Sequence, residues 1–353
     1  MFGNEKINTY TKPVSFQNAF LGSLVADSIS MPVHWYYNVH NLDKDYGPID
    51  GYLGPKNPHP DSILWRSSFL PKSSKSDILH GQKKYWGQRG IHYHQHLKAG
   101  DNTLNLQLSA ELYRFIILHG EFQIDQWLQR YVQVMLTPGW HGDTYVEEYH
   151  RTFFTNYEKG KPLLSCGAND YHIGALSLVP GLLAGLEAIG QTDPAQLVES
   201  ALTLVRATHD NSKSLRAAAD FTRILIHLHQ NQSIRDTIDQ LPLPGVSVKQ
   251  LVKWEQKEDR EIVGGKLSTA CYLPESFLAS LFLSWKYDCN FKKGVIANAM
   301  VGGDNCHRGV VVGAMLGIQN DIPSAWLKGL TMMDRLRCDM QLQENPQLLK
   351  RAS

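Results

Sequence analysis

The chain has 353 residues, enough for one large domain or two ordinary ones. Hydrophobic residues make up 42% and charged residues 20%, an ordinary globular composition, and the formal net charge of +1 supplies no general field for nucleic acid or an anionic membrane. No run of about 18 apolar residues reads as a membrane span, and the polar start, Met1 to Pro13, lacks the apolar core of a signal peptide.

In chain order, residues 15–28 form the first helical segment, with Leu21, Leu24 and Val25 on one face. The stretch 36–71 differs in texture. It mixes Gly47, Gly51 and Gly54 with Pro48, Pro55, Pro58 and Pro60, and its aromatic residues favour order, so it reads as an irregular, lid-like excursion. His92, His94 and His96 alternate; on an extended segment they would share one side and could meet a metal or a phosphate. Residues 103–118 form a strong helix striped by Leu104, Leu108, Leu112 and Phe115, and the Thr103 hydroxyl is placed to cap it. Further helical segments cover 124–135, 144–156, 172–189, 194–208, 213–229, 247–256, 274–287, 291–300, 307–318 and 324–341. No alternation is strong enough to propose a sheet. The expectation is an all-α fold, one compact multi-helix domain over residues 1–353. Five scattered cysteines, odd in number and without a Cys-x-x-Cys, argue against a disulfide framework and for a reducing, cytoplasmic compartment.

Two distant acidic turns carry the chemistry. One is Gly100-Asp101-Asn102-Thr103; the other is Gly302-Gly303-Asp304-Asn305-Cys306-His307-Arg308. Each stands directly before a helix. A helix start offers free N–H groups, so an acid there is either a cap or, where two turns converge, a ligand to a hard metal. Asp, Cys and His are also competent general acids, bases and nucleophiles.

The order of these motifs resembles the ADP-ribosylglycohydrolase family. The run from Asn18 to Val33 is similar to that family's first helix and its Gly-Asp-Ala-x-Gly-x-Pro-x-Glu segment. Gly100 to Thr103 falls where the family has Thr-Asp-Asp-Thr, Ala207-Thr208-His209-Asp210 resembles its Thr-His helix break, and Gly302 to His307 falls where it has Gly-Gly-Asp-Thr-Asp-Thr/Ser. The tail from Gly313 to Leu327 is typical as well. The resemblance implies an all-helical domain holding two Mg²⁺ or Mn²⁺ ions, with Asp101, Asn102, Asp304, Cys306 and His307 at ligand positions. It implies Asp101, Asp304 and His34 as catalytic candidates, His34 standing where a Glu is common. A ribose-lining turn falls near Asn169, Asp170 and His172, with the register open between Asn169 and His172. Asn305 and Arg308 complete the candidate substrate-binding set, Arg308 facing a phosphate or an acidic neighbour.

The departures from the family pattern have a physical consequence. Asn102, Cys306 and His34 replace acids, which leaves a two-magnesium site short of negative charge. A single softer ion, or no metal with an Asp as general base, are the alternatives. The resemblance implies a hydrolase that cleaves a glycosidic bond to ribose, in ADP-ribose or another ribosylated small molecule, and neither nucleic acid nor membrane as a partner. The alternative from another class is a catalytically silent binding or structural protein, as J1 crystallins are. An enzyme would leave Asp101 and Asp304 facing an open pocket; a silent protein could tie them into internal ion pairs.

Overall fold

The structure, a computed structural model, describes residues 14–344. It is helical throughout: α1 (Phe16–Ser30), α2 (Val39–Tyr46), α3 (Leu104–His119), α4 (Ile124–Met135), α5 (Glu148–Glu158), α6 (Val179–Ala188), α7 (Pro194–Thr208), α8 (Ser212–His229), α9 (Ile234–Gln240), α10 (Val248–Trp254), α11 (Asp259–Ile262), α12 (Glu275–Lys286), α13 (Phe291–Met300), α14 (Asn305–Gln319), α15 (Ser324–Gly329) and α16 (Met333–Glu344). Among the described residues there is no strand, only isolated bridges such as His172 with Tyr272. The all-α reading of the sequence holds.

The core is organised around α1 and α14. Both are buried on nearly every side, as helices apolar all round must be. Glycine lets them approach backbone to backbone: a Cβ on Gly22 would lie 2.1 Å from the Gly313 carbonyl oxygen, and one on Gly317 would lie 2.8 Å from that of Asn18. α13 and α12 pack on α14, α6 on α1, and α3 on α6. The turn at 302–304 therefore leads directly into one of these buried helices, α14, and the turn at 100–103 into α3.

Several boundaries differ from the periodicity. The segment 172–189 is split, because a short 3-10 turn at Ile173–Leu176 precedes α6. The segment 324–341 is split into α15 and α16. The excursion 36–71 contains α2, which begins on an Asn38 side-chain cap and ends at Gly47 with a φ of 60°. Its aromatic residues are structural anchors in part: the Tyr52 hydroxyl donates to the Trp326 carbonyl at 2.8 Å, and Tyr36 is fully buried.

Candidate functional site

The second acidic turn is fixed from both sides. Gly302 and Gly303 have φ of 68° and 66°, a region that residues with a Cβ enter only at a cost. Added Cβ atoms would lie 2.4 Å from the Tyr36 carbonyl oxygen and 2.2 Å from that of Thr269. The Gly303 N–H donates to Tyr36, its carbonyl accepts from the Trp35 N–H at 2.8 Å, and the Asp304 N–H donates to Thr269. Trp35 itself holds a φ of 61°, a strain on the order of 1–3 kcal/mol that this contact offsets. Its ring stacks on His34 with centroids 3.8 Å apart.

From this turn a chain of alternating acids and imidazoles runs through the interior. Asp143 Oδ1 lies 2.6 Å from His94 Nδ1, and His94 Nε2 lies 2.7 Å from His34 Nδ1. His34 Nε2 lies 2.9 Å from Asp304 Oδ1, and the same oxygen lies 2.6 Å from His307 Nδ1. His307 Nε2 ends the chain 2.8 Å from Glu147 Oε1. Asn105 donates to the other Glu147 oxygen, and its amide nitrogen packs 2.8 Å from His307 Nε2. All of these groups are buried except Glu147, which is half-buried.

The valences of these links set the charges. With a carboxylate oxygen at each ring nitrogen, His307 carries two protons; burial opposes this, but Asp304 and Glu147 hold its pKa well above the ordinary value. The three hydrogen bonds through His94 and His34 need three protons shared by two rings, one more than two neutral imidazoles supply. Burial pushes His34 down to about 3, so His34 does not carry the extra proton. Burial also pushes the Asp304 carboxyl up, but His307 and His34 outweigh it and hold the group well below the usual carboxylate range. Asp304 is thus an ionised carboxylate with Oδ1 clamped by two imidazoles and Oδ2 buried without a hydrogen-bond partner.

Asp304 also lines a cleft of about 300 Å³, with Trp35, Tyr37, Glu147, Asp170, His172 and Tyr272 among its walls. Asp170 Oδ1 accepts from His172 Nδ1 at 2.5 Å. Burial works against the charged ring, but Asp170 raises the His172 pKa above its ordinary value. The Nε2 position of that ring is left for the cleft.

The first acidic turn behaves differently. Asp101 does not join the cluster: it is half-buried, and its carboxylate accepts from the Lys98 N–H at 2.7 Å and from the Thr331 hydroxyl at 2.7 Å. Gly100 has a φ of 91°, and a Cβ there would lie 2.2 Å from the Gly329 carbonyl oxygen; packing alone accounts for glycine where the family has Thr. Asn102 is buried and donates to the Leu24 carbonyl and to Asp27. The Thr103 hydroxyl does not cap α3; it donates to Asp27 at 2.7 Å, as does the Thr103 N–H at 2.9 Å. Asp143 takes over as a long-range cap by accepting from the Leu104 N–H.

The other candidates divide the same way. Asp170 and His172 line the cleft, whereas Asn169 is exposed and accepts from Asn211. Asn305 is buried and donates to the Val33 and Ala299 carbonyls. Arg308 is buried beneath the turn, donating to Asn298 and to the Gly302 carbonyl, with burial lowering its pKa to about 10. Neither reaches the cleft. Cys306 is buried and its thiol donates to the Asp27 carbonyl; burial holds it protonated, and the Asp27 and Asp304 carboxylates add to this. The alternating histidines do not share a side, because residues 93–96 form turns: His92 bonds the Pro32 carbonyl, His94 enters the relay and His96 is exposed. Asp143, Glu147 and Glu148 were not singled out from the sequence. Their signal was the acid-rich run before α5, which reads equally well as a helix cap.

Two groups of side chains bring ligand atoms within 4.8 Å of one another, His34 with His94 and Cys306, and His34 with Asp304 and His307. Neither is arranged for a metal. Donors around a tetrahedral ion with bonds near 2.1 Å sit about 3.4 Å apart, yet the Asp304–His307 and Asp304–His34 pairs are drawn in to 2.6 and 2.9 Å, the spacing of a shared proton. A pair of hard dications fits less well still. Their carboxylates would have to be gathered, and here Asp27 is committed to Asn102 and Thr103, Asp101 to Thr331, Asp304 to His34 and His307, and Asp143 and Glu147 each to one imidazole.

The family model described as ADP-ribosylglycohydrolase matches residues 12–352. Crystallin J1A of Tripedalia cystophora is 24% identical over 321 residues, covering 88% of this chain and 89% of that protein. A solved structure titled "ADP-ribosylglycohydrolase-related protein complex" superposes with a TM-score of 0.58 at 16% identity, covering 93% of this chain and 96% of that one, a likeness of fold. Among the described residues, no helix is long and apolar enough to cross a membrane.

Proposed function

The chain belongs to the ADP-ribosylglycohydrolase family, and from that premise we propose that it hydrolyses a glycosidic bond to ribose, in ADP-ribose or another ribosylated small molecule. The observation that carries this reading is the state of Asp304: it lines a cleft, ionised, clamped through Oδ1 and with a buried, unpartnered Oδ2. Glycoside cleavage passes through an oxocarbenium-like state that a carboxylate beside C1 stabilises. Asp304 takes that role. His34 and His307 position it and keep it charged. His172, held protonated by Asp170, is the proton donor to the leaving group.

Asp304 and Glu147 are separated by the whole His307 ring. The His34–Asp304–His307 cluster is spaced for shared protons, and we assign no resident metal. The five cysteines are all free thiols, which supports a reducing compartment such as the cytoplasm.

The test is an NMR assay of purified protein on ADP-ribosylated arginine and on phosphate-free ribosides. Turnover, unaffected by chelator and reduced on the order of 10³-fold in Asp304→Asn, is the expected result. A second reading has a specific observation behind it, the similarity to a crystallin together with an Asp101 tied down away from the cleft. Absence of turnover on every ribosylated compound would leave that silent role standing.

A further inference from the structure

The cleft has a chemical character of its own. Four carboxylates line it, those of Asp304, Glu147, Glu148 and Asp170, and no Lys or Arg is among the lining residues. His172 is the one lining side chain that carries positive charge, and Asp170 already pairs with it at 2.5 Å. The nearby cations are engaged on aromatic rings: Arg151 lies 5.7 Å from the Tyr145 ring centre and Lys213 lies 4.5 Å from that of Tyr171. Between the acids stand the rings of Trp35, Tyr37, Tyr145 and Tyr272. On the floor, Asp304 Oδ2 is buried and lacks a partner, an unmet demand that a donor or a positive charge would satisfy. The volume of about 300 Å³ lies at the small end of the roughly 300–1,000 Å³ of ligand clefts.

We infer that the occupant is ribose N-linked to a planar cation of pyridinium type, and that it carries no diphosphate. This rests on the glycosidase reading and narrows its substrate. A diphosphate would add two negative charges to a cleft whose four carboxylates outnumber their two imidazolium partners, His172 and His307, in a partly desolvated setting where such repulsion exceeds its value in water. A planar cation meets ring faces and carboxylates together. The chemistry agrees with the site. The C1–N bond breaks with its electron pair going to nitrogen, which discharges the cation. The oxygen of water bonds to C1, and its proton is released to the departing base or solvent. No oxidant or other co-reactant is required.

Nicotinamide riboside is the probe, with adenosine as a neutral riboside and ADP-ribose as the anionic one. Calorimetry on the full chain should rank nicotinamide riboside at least tenfold tighter than adenosine, with ADP-ribose weakest. Glu148 is exposed at the start of α5, so Glu148→Gln should fold normally; it should weaken nicotinamide riboside several-fold and strengthen ADP-ribose. Tighter binding of ADP-ribose than of the cation, or an equal effect of Glu148→Gln on both, overturns the inference. Hydrolysis of ADP-ribosylated arginine with no preference for phosphate-free cations overturns it while the glycosidase reading stands. Charge-dependent binding of nicotinamide riboside without cleavage does the reverse.

Discussion

The turn at 100–103 and the turn at 302–307 use the same backbone device and send their acids in opposite directions. In each, a glycine with positive φ is pressed against a carbonyl oxygen of a distant segment, Gly329 for Gly100 and Thr269 for Gly303. In each, the acid follows and a helix begins. Yet Asp101 closes on Lys98 and Thr331, whereas Asp304 is drawn inward between His34 and His307. What differs is the material behind the turn. Asp304 has two imidazoles to share its charge, so burial is tolerated; behind the first turn Asp27 already occupies the interior and takes Asn102 and Thr103 instead. A carboxylate at a helix start is thus a cap, a tether or a reactive group according to which charges the rest of the fold delivers to it.

The contrast can be broken most sharply at the glycines. Gly303→Ala should cost about 4 kcal/mol or more through strain and overlap, read as a large fall in melting temperature, and the surviving folded fraction should be inactive. Gly100→Ala should destabilise comparably, yet its folded fraction should turn over normally; equal loss of activity in both would mean that the first turn also serves the reaction.

The acids come next. Asp304→Asn should lower kcat on the order of 10³-fold, while Asp101→Asn should keep kcat within about twofold and cost about 1 kcal/mol or less. Paired kinetics and melts measure both. A large kcat loss in Asp101→Asn would place it back in the machinery.

A smaller effect tests the cleft wall. The folded His172 pKa is raised, so its charged form is favoured by folding. The contribution is fully present below the unfolded value near 6.5 and is lost as pH rises through the higher folded value. Activity that needs this proton should persist above pH 6.5 before declining, and Asp170→Asn should move that basic limb down to about 6.5 or lower, visible in a pH profile of kcat. An unmoved limb would show that another group donates the proton. The smallest effect is expected from Thr331→Val, which removes one hydroxyl from Asp101: about 1 kcal/mol or less of stability and no change in kcat.

Much of the fold was legible because helix periodicity and glycine placement are local. The helices at 124–135, 194–208 and 291–300 lie where their apolar spacing put them, and both positive-φ turns were marked by glycine. The site was legible only in part. Asp304, Asp170 and His172 were among the candidates, but Asn169, Asn305 and Arg308 were too, and they face Asn211, the Val33 carbonyl and Asn298. Glu147 carried no more signal than an ordinary first-turn acid. The sequence by itself determined an all-helical chain, its glycine-pinned turns and its family. Only the tertiary structure decided that Asp304 rather than Asp101 faces the cleft and that His94 and His34 connect it to Asp143. The reason is that, beyond the local Asp304–His307 pair, the links of the relay join residues 49 to 270 positions apart in the chain, and no local pattern records which of those partners a buried carboxylate will meet.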